Sequence, residues 1–207
     1  MADNETDTLK QGQELKDWDY LISSNKVFTL KFFSFDTSIS PYLGVFYNPR
    51  RSKISGGYDD RLYNKNPKTI RCAGCCAGCD DIYDLKDRAV WVANRNNPIT
   101  DMYGKLMIDV HGKLSILSSG VSVVDLVSPT PVARNASGTL LDNGNFILQE
   151  LYPDGSVKRV LWQSFDYPTD TLLPGMKLGI NLKTGHRWSL TSWRSHELPA
   201  DGSLGSQ

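Results

Sequence analysis

No stretch of this sequence keeps the spacing of an amphipathic helix. Short alternating apolar runs are instead cut about every eight to twelve residues by Gly, Asn, Asp or Pro. A chain punctuated that way reads as many short antiparallel strands, arranged as a sandwich, barrel or prism. Phe28-Thr-Leu-Lys-Phe32 places Phe28, Leu30 and Phe32 on one face, and Tyr42 to Tyr47 forms a second strand ended by Asn48-Pro49. Gly104 to Asp109 leads through Val110-His111-Gly112 into Lys113 to Leu117, a predicted hairpin. Thr139 to Leu141 and Asn145 to Gln149 flank Asp142-Asn143-Gly144 in a second one, where Asn-Gly supplies the positive φ angles of a tight turn.

These hairpins repeat. Gly112 and Gly144 hold equivalent turn positions 32 residues apart, each followed by a polar residue and an apolar run. A strand then closes each unit: Val90 to Asn94, Val124 to Ser128 and Leu161 to Phe165. Aligning Trp91, Asp125 and Trp162 gives offsets of 34 and 37 residues, a period that signals stacked or radially arranged units. Three such units predict a pseudo-threefold all-β assembly with Trp91 and Trp162 as structural core at a common axis. Asp125 takes the third place and leaves that corner looser or wetter.

With 207 residues, the chain is long enough for a proper core. Its 23 basic and 23 acidic side chains cancel, and there is no basic stripe, so neither nucleic acid nor an anionic membrane surface is expected as the partner. No apolar run reaches the length of a membrane span, and the polar, acidic start Met1-Ala-Asp-Asn-Glu-Thr-Asp7 contains no visible secretory leader.

Several blocks carry a family resemblance. They are Asp7 to Leu15, Phe28-Thr-Leu-Lys-Phe-Phe-Ser34, Tyr42-Leu-Gly44, Val90-Trp-Val-Ala-Asn-Arg-Asn-Asn-Pro98 and the long run Leu161-Trp-Gln-Ser-Phe-Asp-Tyr-Pro-Thr-Asp-Thr-Leu-Leu-Pro-Gly-Met-Lys-Leu-Gly179. Together they resemble the ectodomain of plant G-type lectin S-receptor-like serine/threonine kinases. The resemblance implies a β-prism II of the bulb-lectin type, with three four-stranded units, over residues 7–180. Residues 181–207 then look like the truncated start of an S-locus glycoprotein segment, opening with Arg187-Trp-Ser-Leu-Thr-Ser-Trp193. Residues 49–88 stand where the family has a short turn, and their polar, Gly-rich composition predicts a long disordered insertion. The resemblance implies an extracellular sensing role at the plasma membrane, and the chain reads as a fragment.

All four cysteines lie in Cys72-Ala-Gly-Cys75-Cys76-Ala-Gly-Cys79. Paired Cys-x-x-Cys units can bind zinc, but structural sites separate the two pairs so that the chain can wrap the ion. Here Cys75 and Cys76 are adjacent and the unit is duplicated head to tail, so no metal or other cofactor is expected. The resembled lectins carry Gln-x-Asp-x-Asn-x-Val-x-Tyr on a sugar-binding strand. On the first hairpin those positions are Asp109, His111, Lys113, Ser115 and Leu117, with no match. On the second they are Leu141, Asn143, Asn145, Ile147 and Gln149, where Asn145 alone is identical. Asn143, Asn145 and Gln149 are therefore the carbohydrate-binding candidates, in pockets expected to be degenerate, since an unpaired polar position loses most affinity. Asn4-Glu-Thr6 and Asn135-Ala-Ser137 are N-glycosylation sequons.

No nucleophile motif accompanies His111, His186 or His196, and no Gly-rich loop cradles a phosphate, so the chain is not expected to be an enzyme. Three functions compete. The first is a receptor-type recognition module for a glycan, a peptide or protein ligand, or another receptor ectodomain. The second is a genuine mannose-binding lectin. The third is an intracellular metal-binding protein built on Cys72–Cys79.

Overall fold

A computed structural model of the chain describes residues 5–35, 42–48, 89–195 and 197–202. Among the described residues, sixteen strands and one short 3-10 turn, Ser164–Asp166, make up the regular structure, with no α-helix. The first three strands are short: β1 Thr8–Lys10, β2 Glu14–Lys16 and β3 Tyr20–Ile22. Then come β4 Phe28–Phe33, β5 Tyr42–Tyr47 and β6 Ala89–Val92, followed by β7 Lys105–Ile108, β8 Leu114–Ser118 and β9 Val121–Val127. The strands β10 Ala136–Leu140, β11 Phe146–Leu151 and β12 Val157–Gln163 complete the prism. Two small hairpins close the chain: β13 Gly179–Ile180 with β14 Arg187–Trp188, and β15 Trp193–Ser195 with β16 Leu198–Asp201.

Twelve of these strands form three antiparallel four-stranded sheets. Sheet I runs β1-β10-β11-β12, sheet II β2-β7-β8-β9 and sheet III β3-β4-β5-β6. The N-terminal segment thus gives one strand to each sheet in turn. Its Leu9, Leu15 and Leu21, six residues apart, are all buried in the same apolar cluster. The rest of that cluster comes from all three sheets: Leu30, Leu43 and Val45 of sheet III, Leu106, Ile108, Leu114 and Ile116 of sheet II, and Leu140, Phe146 and Leu148 of sheet I. Period-2 alternation explains the pattern, because strands expose opposite faces at successive residues. In β4, Phe28, Leu30 and Phe32 point inward, and in β7, Leu106 and Ile108 do so. Three sheets around one core make an all-β prism.

The repeated turns share one design. At Asp109–Lys113 and at Leu141–Asn145 the first residue's N–H donates to the last residue's carbonyl, and the glycine N–H donates to the first residue's carbonyl. Gly112 and Gly144 have φ of 79° and 87°. Asn143 is not left-handed, so the Asn-Gly pair does not supply the two positive φ angles expected of it. The second turn is a three-residue loop in which one glycine takes the left-handed position.

Trp91 and Trp162 are both buried, with ring centroids 5.8 Å apart in an edge-to-face contact at 62°. The Trp91 Nε1–H donates to the Tyr167 carbonyl at 2.8 Å, which satisfies its one polar atom. Asp125 does not occupy the third place. Trp91 pairs with Val45 and Trp162 with Leu148, and the matching inward residue of sheet II, Ile116, pairs with Val124. Val124 packs against the core, while Asp125 faces outward with its side chain 46% exposed. A one-residue shift in register turns a strand's side chains to the opposite face, and bulges in β9 hid that shift in the spacing.

The expected disordered insertion, Cys72, Cys75, Cys76, Cys79 and Asn4 all lie outside the described residues.

Truncating Trp162 to Ala should cost about 3–5 kcal/mol, as large core truncations do; chemical denaturation of the variant checks this, and a cost below about 1 kcal/mol contradicts the axial packing. A second expectation follows from strand adjacency: β5 and β6 are direct neighbours, with Phe46 opposite Ala89. Joining Asn48 to Ala89 through a short Gly-containing turn should therefore preserve folded protein and its unfolding midpoint. Loss of soluble folded material would show that residues 49–88 contribute to the core.

Candidate functional site

The outward face of each sheet is the place where strand-borne polar groups can meet a ligand. In sheet II that face carries the first motif strand. Lys113 Nζ lies 2.8 Å from Asp125 Oδ2, and Ser115 Oγ donates to Asp125 Oδ1 at 2.9 Å. Ser122 donates to the same oxygen. The Lys113 ammonium first, and the two hydroxyls with it, hold the Asp125 carboxyl at about 2, below its ordinary 3.8. Asp109 is engaged in its own turn, where Oδ1 accepts from the His111 and Lys113 N–H groups at 2.8 and 2.9 Å. His111 is exposed at the hairpin tip, and Leu117 is buried. The polar groups on this strand are matched to one another.

Sheet I carries the second motif strand, and here the single identical residue is covered by the turn that follows β12. Asn145 is buried at 5% exposure. Its Nδ2 donates to Gln163 Oε1 at 3.0 Å, and its Oδ1 accepts from Ser164 Oγ at 3.1 Å and the Phe165 N–H at 3.2 Å. Ser164 Oγ in turn accepts from the Phe146 N–H at 2.9 Å. Asn145 therefore ties the hairpin to the 3-10 turn. Asn143 is exposed at the tip, its Oδ1 accepting from the Asn145 N–H at 3.0 Å. Gln149 is half-buried on β11, opposite Ser137 and Val160. The three candidates thus share one hairpin but not one pocket.

Farther along β11, Glu150 is 4% exposed. Arg159 Nε lies 2.7 Å from one of its carboxylate oxygens and Lys158 Nζ 3.0 Å from the other. Those two cations, Arg159 foremost, hold its carboxyl at about 2 instead of 4.5. The Arg159 guanidinium also donates to the Pro131 carbonyl at 2.7 Å, fixing the loop before β10. Asn135 lies exposed in that loop with φ of 62°.

Sheet III has an aromatic outer face. Phe33, Phe35, Tyr42, Phe46, Ala89 and Val92 form a second buried cluster, capped by Trp193 from β15. Phe35 and Trp193 meet edge to face at 5.3 Å. Arg95, itself buried, clasps the capping hairpin: Nε donates to the Pro199 carbonyl at 2.7 Å, Nη1 to Thr191 at 2.9 Å and Nη2 to Ser192 at 3.0 Å. Asp201 completes the clasp 3.1 Å from Arg95 Nε. The sequence reading missed this cover. Arg95 and the segment it holds lie about a hundred residues apart, and only the tertiary packing connects them.

His186 packs between Tyr167 and Trp188, with Nε2 3.1 Å from the Asp166 carbonyl; His196 lies outside the described residues. Among the described residues, no group of three or more His, Cys, Asp or Glu is placed to hold a metal ion, and no helix is long and apolar enough to cross a membrane.

Asp125 and Glu150 both have lower pKa values folded than their ordinary 3.8 and 4.5. Their stabilisation is complete above about pH 4.5 and is lost as pH falls toward 2. Unfolding midpoints measured from pH 5 to pH 2 should fall less steeply in Glu150→Gln than in the unaltered protein. An identical slope would show that the Arg159 and Lys158 contacts do not form in solution.

Residues 88–194 match the family described as D-mannose binding lectin. Over 201 residues the chain is 48% identical to a G-type lectin S-receptor-like serine/threonine-protein kinase of Arabidopsis thaliana, covering 97% of this chain and 21% of the relative. A second kinase of the same description and plant is 47% identical over 200 residues, covering 97% and 19%. The chain spans about a fifth of the length of these relatives. A solved structure of monomeric monocot mannose-binding lectins from Gastrodia elata aligns at a TM-score of 0.47 with 12% identity, covering 77% of this chain and 95% of that one. The chain belongs to the D-mannose binding lectin family, as a bulb-type lectin domain of the kind found in plant S-receptor-like kinases.

Proposed function

We propose that this chain is the recognition module in the extracellular part of a receptor-like serine/threonine kinase, and that its strand-motif mannose pockets are degenerate. The observation that carries this reading is the self-satisfaction of the outward faces. Lys113 and Asp125 neutralise each other on sheet II, Asn145 is committed to Gln163 and Ser164 on sheet I, and Trp193 caps sheet III. A sugar hydroxyl binds well only where site donors and acceptors await it, and breaking an existing ion pair offsets the gain. The lectin unit spans residues 7–180 in this reading, and the segment from 181 onward opens the next module, held to the prism through Arg95. Asn135 is its glycan acceptor, exposed on a loop away from the capped face. The ligand is a glycan outside the motif strands, a peptide or protein, or another ectodomain.

Calorimetric titration with mannose and with a mannose-rich oligosaccharide tests the degeneracy. The expected dissociation constants are weaker than about 100 μM, or about −5.5 kcal/mol. A tighter constant that is lost on Gln149→Ala would restore the motif strand as a working mannose site.

A further inference from the structure

Sheet II has an opening at the end opposite the Lys113–Asp125 contact. Lys105 pairs with Lys16 on one side and Leu117 on the other, and there a cavity of about 450 Å³ is lined by Glu14, Lys16 and Trp18 facing Met102, Tyr103 and Lys105. That volume suits one or two sugar rings and falls within the usual range of small-ligand sites. None of Asp109, His111, Lys113, Ser115 or Leu117 lines it.

The lining is unusual for bare surface. Trp18, Met102 and Tyr103 are 51%, 65% and 71% exposed, and large apolar side chains gathered at one exposed place mark a contact surface. Both walls are braced before anything binds. Asp101 accepts from the Tyr103 N–H at 2.9 Å and from the hydroxyls of Ser118 and Ser119, fixing the loop that bears Tyr103. On the other wall, the Lys16 N–H donates to Asp19 Oδ2 at 3.0 Å, and Lys16 Nζ lies 5.6 Å from the centre of the Trp18 ring. Glu14 and Lys105 form an ion pair at the base. The cavity therefore joins flat apolar rings to the Glu14 carboxylate and the Lys16 and Lys105 ammonium groups, with the Asp101 carboxylate behind Tyr103 and Ser119 offsetting the second cation.

We infer that this cavity binds a neutral oligosaccharide, with a pyranose ring stacked on Trp18 and Tyr103 and its hydroxyls bonded by Glu14 Oε2 and the Lys105 ammonium, the Glu14 Oε1–Lys105 pair staying intact, whereas Asp125 has both oxygens engaged. The C–H face of a pyranose is apolar and matches an aromatic ring, while its equatorial hydroxyls need donors and acceptors together. A strongly anionic sugar would have to compete with Glu14 and with Asp101 nearby. The inference rests on the recognition-module reading and moves sugar contact from the motif strands to the β2–β7 edge of the same sheet.

Mannotetraose, cellotetraose and chitotetraose, each titrated to about 10 mM, are the probes. Calorimetry reads affinity, and the indole N–H resonances of the labelled protein read position. Saturable binding of at least one sugar is expected, with a shift at the Trp18 indole. Trp18→Ala and Tyr103→Ala should each weaken it about tenfold or more, Trp18→Phe should retain most of it, and Lys113→Ala should leave it unchanged. Absence of saturable binding by all three sugars overturns the inference while leaving a peptide or protein ligand open. Binding that survives Trp18→Ala also overturns it. Sensitivity to Gln149→Ala instead would count against pocket degeneracy, a separate failure.

Discussion

Each sheet of this prism has a single apolar face, and none of the three can bury that face alone. A four-stranded sheet of strands this short is too small to stand in water, so each supplies the cover for the other two. The N-terminal segment enforces the arrangement. By giving β1 to sheet I, β2 to sheet II and β3 to sheet III, it makes fifteen consecutive residues a seam through all three, with Leu9, Leu15 and Leu21 reaching the common core. The edge-to-face contact of Trp91 and Trp162 fills the space between the closing strands of sheets III and I. Sheet II contributes the smaller Val124 to that region.

The alternation that sends one set of side chains inward sends the other set to three outer faces. What happens on each face differs with the residues available. Sheet II carries a basic and an acidic residue on neighbouring strands, and they pair. Sheet I carries a polar residue at a turn, and the following 3-10 turn recruits it. Sheet III carries aromatic residues, and the chain's own C-terminal hairpin covers them under the Arg95 clasp. The motif positions Lys113 and Asn145 are each paired with other side chains of the protein. The cavity beside Trp18 lies away from all three solutions, which is why its side chains stay exposed.

Much of the architecture was legible in the sequence because it rests on local signals. The alternating runs at Phe28–Phe33 and Tyr42–Tyr47 and the glycine turns at Gly112 and Gly144 depend on residues near one another in sequence, and the Trp91–Trp162 relation shows in the repeat period. The three-residue strands β1 to β3 were not legible, since such strands are too short to show alternation; only the six-residue spacing of Leu9, Leu15 and Leu21 marks them. Asp125 was misplaced because a bulge changes register without changing composition. The site was less legible still. Whether Asn145 faces a ligand or Ser164 is decided by how the chain after β12 folds back, and the Lys113–Asp125 pair appears only once β8 and β9 are in register.

On the motif strands, Lys113 and Asn145 are held by other side chains of the protein. A crystal structure determined in concentrated methyl α-mannoside shows whether a sugar displaces them. The expected result is a protein with the Lys113–Asp125 and Asn145–Ser164 contacts intact and no mannoside on β8 or β11. A mannoside bonded to Asn145 or Gln149, with Asn145 swung away from Ser164, would contradict the proposed degeneracy of the pockets.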